Sequence, residues 1–495
     1  MSDTYLFAGL VLLVAAVGLL ALLSNRLTER IKIPAPLLVL VAAAVAVKVV
    51  PALHAPPERT VERLVTIALI CILFDGGLHM GWRKFRSAAA PIAVVGLLGT
   101  FLTVAGIGVF IHLAFGLGWF PALLVATAIS PTDPAVVFSV LGQREVAGRS
   151  GTLLEGESGA NDPVGIALMA SLLTAGGINA GAFGHIAGEF ALQMAVGAAV
   201  GLVGGRALLW FMRAVPLPSE GLYPLRTAAC ALILFGAATL AHGSGFLAVF
   251  VAGILLGDAR APYKREIERF HTALASLGEI VAFIVLGLTV DLAELSRADV
   301  WIPGLVIGLV LAAVVRPVVV GLCLIPARLK PNERNFVLFA GLKGAVPILL
   351  GSFLLAARVA GAERLYGIVV VVVVSSVLVQ GSLVPAVARV LHLPMRTTPT
   401  EPWALGVRLS DEPDGAQHLT IAQGAPADGQ RIDELAMLGE DAWISFVVRD
   451  HRLLPVRGES TLQAGDEVLV IASSDRHDSI TALFTGSAPE GGRRP

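Results

Sequence analysis

Four polar residues stand close together inside a hydrophobic segment that is long enough to cross a membrane: Glu157, Ser158, Asn161 and Asp162. On a helix they fall at about 0°, 100°, 40° and 140°, given ~100° per residue, and therefore share one face. Carboxylate, hydroxyl and amide oxygens suit a hard cation, and a carboxylate can take a proton instead. Ionisable side chains are costly inside a membrane and commonly mark an ion or proton pathway. The stretch therefore predicts a site at which a proton and a cation compete.

A second polar group lies just upstream, where Thr132, Asp133 and Pro134 interrupt another hydrophobic segment. Counted from opposite ends of their segments, Asp133 and Asp162 both fall in the middle third of a hydrocarbon core about 30 Å thick. The alternative interpretation is a satisfied polar cluster that only holds helices together. We favour an ion pathway, because two nearby aspartates are more than packing needs.

The composition is that of a polytopic membrane protein. The chain of 495 residues is 56% hydrophobic and 15% charged, with a mean hydropathy of +0.79. The formal net charge of −1 gives no indication of a nucleic-acid partner. The three cysteines stand singly in apolar stretches without metal-site spacing. No basic residue precedes the first apolar run, so we expect a retained span rather than a signal peptide.

Thirteen hydrophobic runs are predicted to cross the membrane, and all but the ninth reach or exceed the ~17–25 residues that a spanning helix needs. Alternate loops differ in charge, since one set carries most of the Lys and Arg. Basic loops stay in the cytoplasm, so the N-terminus is predicted outside and the C-terminus inside. The short ninth run is kept because this alternation requires it. The predicted spans are Tyr5–Ser24, Ile33–Val50, Leu64–Met80, Ala88–Phe115, Trp119–Leu141, Gly151–Ala175, Ile186–Trp210, Tyr223–Ala241, Gly245–Leu256, Thr272–Val290, Trp301–Ile325, Asn335–Val359 and Leu365–Leu391.

Two of these spans contain helix breakers. The fifth carries Ser130–Pro134, in which each proline removes a backbone donor and clashes with the preceding turn. The twelfth carries Gly341–Pro347, a second break that includes the charge of Lys343. An offset of seven spans gives the two segments opposite orientations. Interrupted spans in corresponding halves are typical of a transporter with two inverted repeats. The predicted fold is therefore an all-α polytopic membrane protein with broken crossing helices, five and twelve.

At these residues the chain resembles the monovalent cation:proton antiporter 1 family, the NhaP-like sodium or potassium/proton exchangers. The resemblance covers nearly the whole membrane part, and its motifs together are highly specific. The motifs are Thr132-Asp133-Pro134, the Glu-Ser-x-x-Asn-Asp of Glu157 to Asp162, Phe74-Asp75-Gly76-Gly77-Leu78, Arg316-Pro317 and Gly341-Leu342-Lys343-Gly344-Ala345.

The resemblance implies roles for individual residues. Asp162 would be the carboxylate that exchanges proton and cation, and the coordination would be completed by Asp133, Ser158 and the backbone carbonyl of Thr132. Asn161 before Asp162, in place of a second aspartate, resembles the electroneutral branch, which moves one proton per cation. Glu157 would be neutralised by Arg316 instead of titrating.

Lys343 departs from the family pattern, which commonly has Arg at this position. Arg is always charged, whereas a buried Lys can lose its proton. Its expected role is a fixed positive charge against the negative ends of the broken half-helices. The alternative, a Lys that carries a proton, would put the one-to-one stoichiometry in doubt.

The composition changes after the last span. We expect a transmembrane domain over 1–393, a linker over 394–405, a small α+β cytosolic domain over 406–485 and a disordered tail over 486–495. Strands are predicted at His418–Ala422, Trp443–Arg449 and Glu467–Ala472, and helices at Ile432–Leu438 and Asp475–Phe484. The domain resembles the C-terminal half of potassium-conductance regulators (RCK-C, or TrkA-C). No Gly-x-Gly-x-x-Gly follows a strand, so the nucleotide-binding half is absent.

The prediction is a secondary active antiporter of the inner membrane, and not an enzyme, because no nucleophile–base set or metal motif occurs. We expect no cofactor and exchange of K⁺, or alternatively Na⁺ or Li⁺, for H⁺. Potassium is favoured because the RCK-C module is associated with potassium transport. That resemblance also implies a homodimer and a small cytosolic ligand, while the membrane part is expected to contact lipid. A cation channel or a membrane sensor is the alternative from another class.

Overall fold

The computed structural model describes residue 19 and residues 35–49, 56–141, 144–146, 149–177, 181–259, 261–393, 395–397, 416–435, 442–449, 452–472 and 477–486. The chain divides into two compact units, Met1–Thr400 and Glu401–Pro495. Apart from residue 19, the first predicted span lies outside the described residues, so the count of thirteen stays a prediction.

The first unit is built almost entirely of helices, and they occupy the positions of the second to thirteenth predicted spans. They are α1 Ala35–Val49, α2 Glu58–Ala93, α3 Thr100–Phe115, α4 Trp119–Ala128, α5 Pro134–Leu141, α6 Arg149–Ala175, α7 Ala182–Ala214, α8 Leu222–Leu240, α9 Gly245–Gly257, α10 Lys264–Leu288, α11 Leu292–Leu295, α12 Ala298–Val310, α13 Arg316–Cys323, α14 Pro331–Phe339, α15 Ala345–Ala356, α16 Ala362–Ser375 and α17 Ser382–Val390. A short 3₁₀ turn, Ile325–Ala327, follows α13.

Within the described residues, six helical segments are long and apolar enough to cross a membrane. Four shorter apolar helices accompany them, among them α4 and α15, which are the halves of interrupted spans. Many large apolar side chains of the long helices are exposed, as expected for a surface that faces lipid. The six segments are Glu58–Phe115, Ala182–Ala214, Leu222–Leu240, Lys264–Leu288, Ala298–Cys323 and Ala362–Val390.

Among the spans that the structure describes, three contain a π-helical turn. These turns are Val94–Gly99 between α2 and α3, Leu311–Val315 between α12 and α13, and Ser376–Gly381 between α16 and α17. π turns re-aim the side chains that follow them and are frequent at functional sites. Here one turn precedes Arg316 directly, and another contains Ser376, which contacts the second helix break.

Gly81 separates two predicted spans that otherwise form one helical run. Its backbone has φ 60° and ψ 163°, a region that is essentially restricted to glycine. The carboxylate of Asp258 lies beside it and accepts a hydrogen bond from the Arg83 N–H at 2.5 Å. A Cβ atom at Gly81 would lie 2.9 Å from that carboxylate. The third and fourth spans are therefore joined by a kink rather than by a loop.

Two helices of the first unit are interrupted, as the prolines and glycines predicted. The fifth span is divided between α4 and α5, and the twelfth between α14 and α15. The two breaks touch, since the N–H of Asp133 donates to the carbonyl of Leu342 at 2.8 Å. The crossing brings the two polar segments of the sequence into one place.

A two-stranded antiparallel sheet joins the end of this unit to the segment between α5 and α6. Its strands are β1, Arg144–Val146, and β2, Met395–Thr397. Val146 is buried against the helical core, and Met395 packs against it. Strand β2 occupies part of the predicted linker, so the chain after α17 returns to the loop between two helices that carry site residues.

The second unit contains a four-stranded antiparallel sheet with the order β3–β6–β4–β5. Its strands are β3 Ala416–Thr420, β4 Ala442–Arg449, β5 Arg452–Leu454 and β6 Glu467–Ala472, and α18 spans His477–Thr485. Val468 and Val470 alternate inward and form one core with Ile480 and Phe484 of α18. The predicted helix at Ile432–Leu438 is a short 3₁₀ turn, Ile432–Glu434, where it is described; residues 436–438 lie outside the described part.

Replacing Gly81 should destabilise the fold, because an alanine there is strained by its positive φ and by Asp258. We expect Gly81→Ala to lower the free energy of unfolding by about 1–3 kcal/mol. Denaturant unfolding of the purified protein in detergent would measure it.

Gly76 offers a matched control in the same helix, because nothing lies within 4 Å of the position of its missing Cβ. Gly76→Ala should leave stability unchanged or raise it by about 0.4–1 kcal/mol. Equal losses for the two variants would contradict the kink at Gly81.

Candidate functional site

The first break places the carbonyls of Ser130 and Pro131 just after the end of α4, outside any helix. The Nζ of Lys343 donates to the carbonyls of Ser130 and Pro131, each at 3.0 Å. Lys343 is only 3% exposed, so its ammonium group is enclosed by protein. A cation at the C-terminal end of a half-helix is favourable, because the unpaired carbonyls carry partial negative charge. Lys343 therefore connects the second break to the first.

Asp133 begins the second half of the broken fifth span. Its Oδ1 accepts a hydrogen bond from the N–H of Ala135 at 2.9 Å, which caps the N-terminus of α5. A Cβ atom at Gly344 would overlap the Asp133 carboxylate, so this close approach requires glycine. Asp133 is partly buried. Its carboxylate is thus held between the start of α5 and the start of α15.

Glu157 and Arg316 form a buried ion pair. The two guanidinium NH groups of Arg316 donate to the two carboxylate oxygens of Glu157, at 2.6 and 3.1 Å. Each side chain is 5% exposed. Arg316 also donates to the carbonyls of Leu338 and Val337 at the end of α14, each at 3.0 Å. Arg316 therefore neutralises Glu157 and at the same time supplies hydrogen bonds to the carbonyls at the end of α14.

Asn161 is bonded to the first break. Its Nδ2 donates to the hydroxyl of Thr132 at 2.8 Å, and its Oδ1 accepts from the Thr132 N–H at 3.4 Å. The Thr132 hydroxyl in turn donates to Glu157 at 3.4 Å. Asn161 therefore satisfies backbone and side-chain groups of the interrupted fifth span.

Asp162 differs from the other acids of the site. Its Oδ2 accepts a hydrogen bond from the Ser158 hydroxyl at 3.4 Å, whereas its Oδ1 is buried without a partner. In the described part of the chain, it is the only fully enclosed carboxylate oxygen with no hydrogen bond. Asp162 is 7% exposed and lies within electrostatic range of Asp133 and Lys343. A carboxylate in this condition can bind a proton or a bare cation.

The polar residues of α6 therefore divide into two pairs, although a helical wheel places them all on one face. The oxygens of Glu157 and Asn161 are engaged by Arg316 and Thr132. Ser158 and Asp162 are bonded to each other, and they leave an open carboxylate oxygen. Periodicity gives the direction of each side chain but not the neighbour that it meets.

Three backbone carbonyls and two side chains contribute to this site without having been predicted from the sequence. The carbonyls of Ser130, Pro131 and Leu342 accept hydrogen bonds across the crossing, yet a backbone carbonyl has no sequence signal beyond the helix breakers around it. Ser376 and Gln380 contact the second break. They could have been noticed as two polar residues four apart in an apolar span.

The crossed half-helices and the enclosed acids define an ion-exchanging membrane transporter. The family model described as "Sodium/hydrogen exchanger, transmembrane" matches residues 12–390, and the TrkA-C domain matches residues 418–485. The chain belongs to the sodium/hydrogen exchanger family, and the resemblance seen in its motifs is confirmed.

Named relatives narrow the class further. The K(+)/H(+) antiporter NhaP of Alkalimonas amylolytica is 33% identical over 427 residues, which is 86% of this chain and 74% of that protein. The K(+)/H(+) antiporter NhaP2 of Shewanella oneidensis is 31% identical over 430 residues, with the same coverage of each chain. This protein is therefore a multi-pass cation/proton antiporter of the NhaP type, a transporter and not an enzyme.

A solved structure has the same fold. The sodium proton antiporter MjNhaP1 of Methanocaldococcus jannaschii at pH 8 superposes with a TM-score of 0.66 at 20% identity. The match covers 79% of this chain and 99% of that one.

The buried pair gives a stability prediction. Glu157→Gln leaves the Arg316 guanidinium without its counter-charge and should cost about 3–5 kcal/mol of unfolding free energy. The double variant Glu157→Gln/Arg316→Gln should lose less unfolding free energy than the sum of the losses in Glu157→Gln and in Arg316→Gln. Denaturant unfolding in detergent would measure all three.

Asp299→Asn is the matched control, since Asp299 makes exposed ion pairs with Arg297 and Arg364. This change should cost far less unfolding free energy than Glu157→Gln, because water screens an exposed ion pair. If Glu157→Gln cost no more than the control, the pair would not be holding the site together.

Proposed function

We propose that the protein exchanges potassium for protons across the cytoplasmic membrane, one proton per cation, at a site centred on Asp162. The observation that carries the proposal is the enclosed, unpartnered Oδ1 of Asp162. Asp133, the Ser158 hydroxyl and the Thr132 carbonyl would complete the coordination of the cation. The transported ions are the substrates, and the proposed exchange needs no cofactor.

The charges of the site support a one-to-one exchange. Glu157 and Arg316 cancel each other. Asp133 and Asp162 can then contribute two negative charges, and Lys343 contributes one positive charge that is held on the carbonyls of Ser130 and Pro131. These five groups together carry one net negative charge, which either a proton or a monovalent cation neutralises. An uncompensated buried charge costs several kcal/mol, so the empty site would not cross the membrane and the two fluxes are coupled.

The proposed movement is a sliding of the bundle formed by predicted spans four to six and eleven to thirteen. All three π turns of the described residues lie in these spans. Those in the fourth and eleventh spans are seven spans apart, like the two breaks, which supports two inverted repeats. We also propose thirteen spans, an external N-terminus and a cytosolic C-terminal domain, on the alternation of loop charge.

Potassium is preferred in this proposal because the two relatives above are named K(+)/H(+) antiporters and because a TrkA-C domain follows the membrane part. Sodium or lithium is the alternative, since the structural neighbour is named a sodium proton antiporter. A homodimer that contacts lipid, with a small cytosolic ligand on the C-terminal domain, completes the proposal.

The C-terminal domain is proposed to regulate exchange through strand β2. The segment that leads to this domain pairs with Arg144–Val146, which lies between α5, headed by Asp133, and α6, which carries Asp162. A displacement of β2 would therefore also move β1, which lies between the segment with Asp133 and the helix with Asp162. This supports regulation through the chain itself, whatever ligand the domain binds.

Asp162→Asn should abolish exchange while leaving the protein folded, because an amide neither releases a proton nor carries the charge that binds a cation. Dequenching of a pH-sensitive dye in everted vesicles, titrated with KCl, NaCl and LiCl, would measure it. We expect half-saturation at the lowest concentration with KCl and no signal from the variant above vesicles that lack the protein.

Asp299→Asn is the control and should exchange like the natural protein. Cation-driven proton flux that survives in Asp162→Asn would refute the site. A half-saturating concentration that is lower for NaCl than for KCl would make sodium, and not potassium, the preferred cation. In proteoliposomes, a rate that follows an imposed membrane potential would contradict one-to-one exchange and favour a Lys343 that carries a proton. Flux that does not saturate would indicate a channel.

The β2 connection predicts the behaviour of two variants. In an antiparallel pair, one of any two consecutive residues donates to the partner strand, so Met395→Pro/Arg396→Pro must remove a donor. We expect this full-length variant to show the same exchange rate and half-saturating K⁺ as a chain that ends after Thr397. In both variants, the exchange rate or the half-saturating K⁺ concentration should differ at least about two-fold from that of the natural chain. This is roughly the effect of one weak hydrogen bond.

Met395→Ala/Arg396→Ala keeps both N–H groups and should behave like the natural chain. If the chain that ends after Thr397 matched the natural chain, the C-terminal domain would not regulate exchange. If the chain that ends after Thr397 differed from the natural chain but the proline variant did not, regulation through β2 would be wrong.

A further inference from the structure

Ser376 and Gln380 lie in the third π turn, Ser376–Gly381, and have no assigned role. Residues four apart lie on the same side of a helix, so both can reach one neighbour. The Ser376 hydroxyl donates to the Gln380 Oε1 at 2.7 Å. Ser376 is 7% exposed, and Gln380 is partly buried. The two side chains therefore form a fixed polar pair inside an apolar span.

This pair bonds to both sides of the second break. The N–H of Lys343 donates to the Ser376 Oγ at 3.3 Å. The Gln380 Nε2 donates to the carbonyl of Phe339, the last residue of α14, at 3.4 Å. Neither group has a partner in its own half-helix, because α14 has ended and α15 begins only at Ala345. The pair thus sets where the backbone of Lys343 lies.

The first break is held in an equivalent way. There, Asn161 of α6 bonds to the N–H and hydroxyl of Thr132. In both cases the span that follows the break supplies the polar side chains. For the break in the fifth span these come from α6, and for the break in the twelfth span they come from the π turn after α16. Ser376 and Gln380 occupy the place in the second half that Asn161 occupies in the first.

We propose that Ser376 and Gln380 are positioning residues of the exchange site and act through Lys343. The side chain of Lys343 is long and flexible, so the position of its ammonium group on Ser130 and Pro131 depends on a fixed backbone. That ammonium lies within electrostatic range of Asp162. In this proposal its position therefore sets how strongly a proton or a cation is held there. The inference rests on the proposed exchange at Asp162 and adds the residues that tune it.

Ser376→Ala and Gln380→Leu should weaken cation binding more than they slow turnover. We expect the half-saturating K⁺ concentration to rise about five-fold in each, the equilibrium factor that one neutral hydrogen bond carries. The maximal rate should stay within about two-fold, since the ion pair of Glu157 and Arg316 is untouched. The pH profile of exchange should also shift, because a charge next to Asp162 has moved.

Two further variants separate positioning from structure. Ser376→Thr keeps a hydroxyl and should restore the natural half-saturating K⁺ and pH profile. Ser375→Ala is the matched control, because the Ser375 hydroxyl bonds to the carbonyl of Val372 in its own helix at 2.9 Å. It should leave both quantities unchanged. Dye dequenching in everted vesicles from pH 6 to 9, with KCl titrations, measures every variant, and thermal unfolding in detergent checks folding.

The possible results decide between the proposals. If the natural protein shows no cation-dependent exchange, the proposed function fails and this inference with it. If the natural protein exchanges but Ser376→Ala matches Ser375→Ala, only the positioning role is wrong. A variant that unfolds at lower temperature with unchanged half-saturation and pH profile would make the pair purely structural, and would also overturn the proposal.

Discussion

Backbone groups at interrupted helices, buried where water cannot reach them, are the constraint on which this structure depends. Each break leaves carbonyls and N–H groups without intrahelical partners, which is costly inside a membrane. Lys343 bonds to carbonyls in the break after α4, Arg316 bonds to those that end α14, and Asp133 caps α5. The charged side chains are thus first of all the partners of half-helix ends. Their presence at the centre of an apolar protein follows from the breaks.

The same contacts determine which charge remains available. Glu157 is neutralised by Arg316, and one oxygen of Asp133 is engaged at the start of α5. Lys343 is held by two carbonyls. Asp162 is left with an enclosed oxygen that no group in the described part of the chain satisfies. The hydrogen bonds that satisfy the two breaks therefore also leave open one acid, Asp162, which is the acid proposed to exchange ions.

The two breaks are surrounded by hydrogen bonds from neighbouring helices, by π turns and by a close approach at a glycine. Asn161 on one side and Ser376 with Gln380 on the other hold the two breaks. The π turns lie in the neighbouring spans, and glycine at 344 allows the Asp133 carboxylate to approach closely. Strand β2 adds a connection from the C-terminal side of the chain to the segment between α5 and α6. Each of these contacts therefore involves one of the two breaks or the segment between α5 and α6.

The sequence by itself determined the class of protein, the two breaks and the acids near them. Prolines, glycines and charges within apolar runs are local signals, because their cost in a membrane does not depend on the rest of the fold. It did not determine the partners. Glu157 meets Arg316 across 159 positions, and Lys343 meets carbonyls that no side chain marks. Only the packed structure decides such contacts, since helical periodicity gives a direction but not a neighbour. The kink at Gly81, expected as a loop, and the pairing of β1 with β2 were decided in the same way, by the approach of Asp258 and of a distant strand.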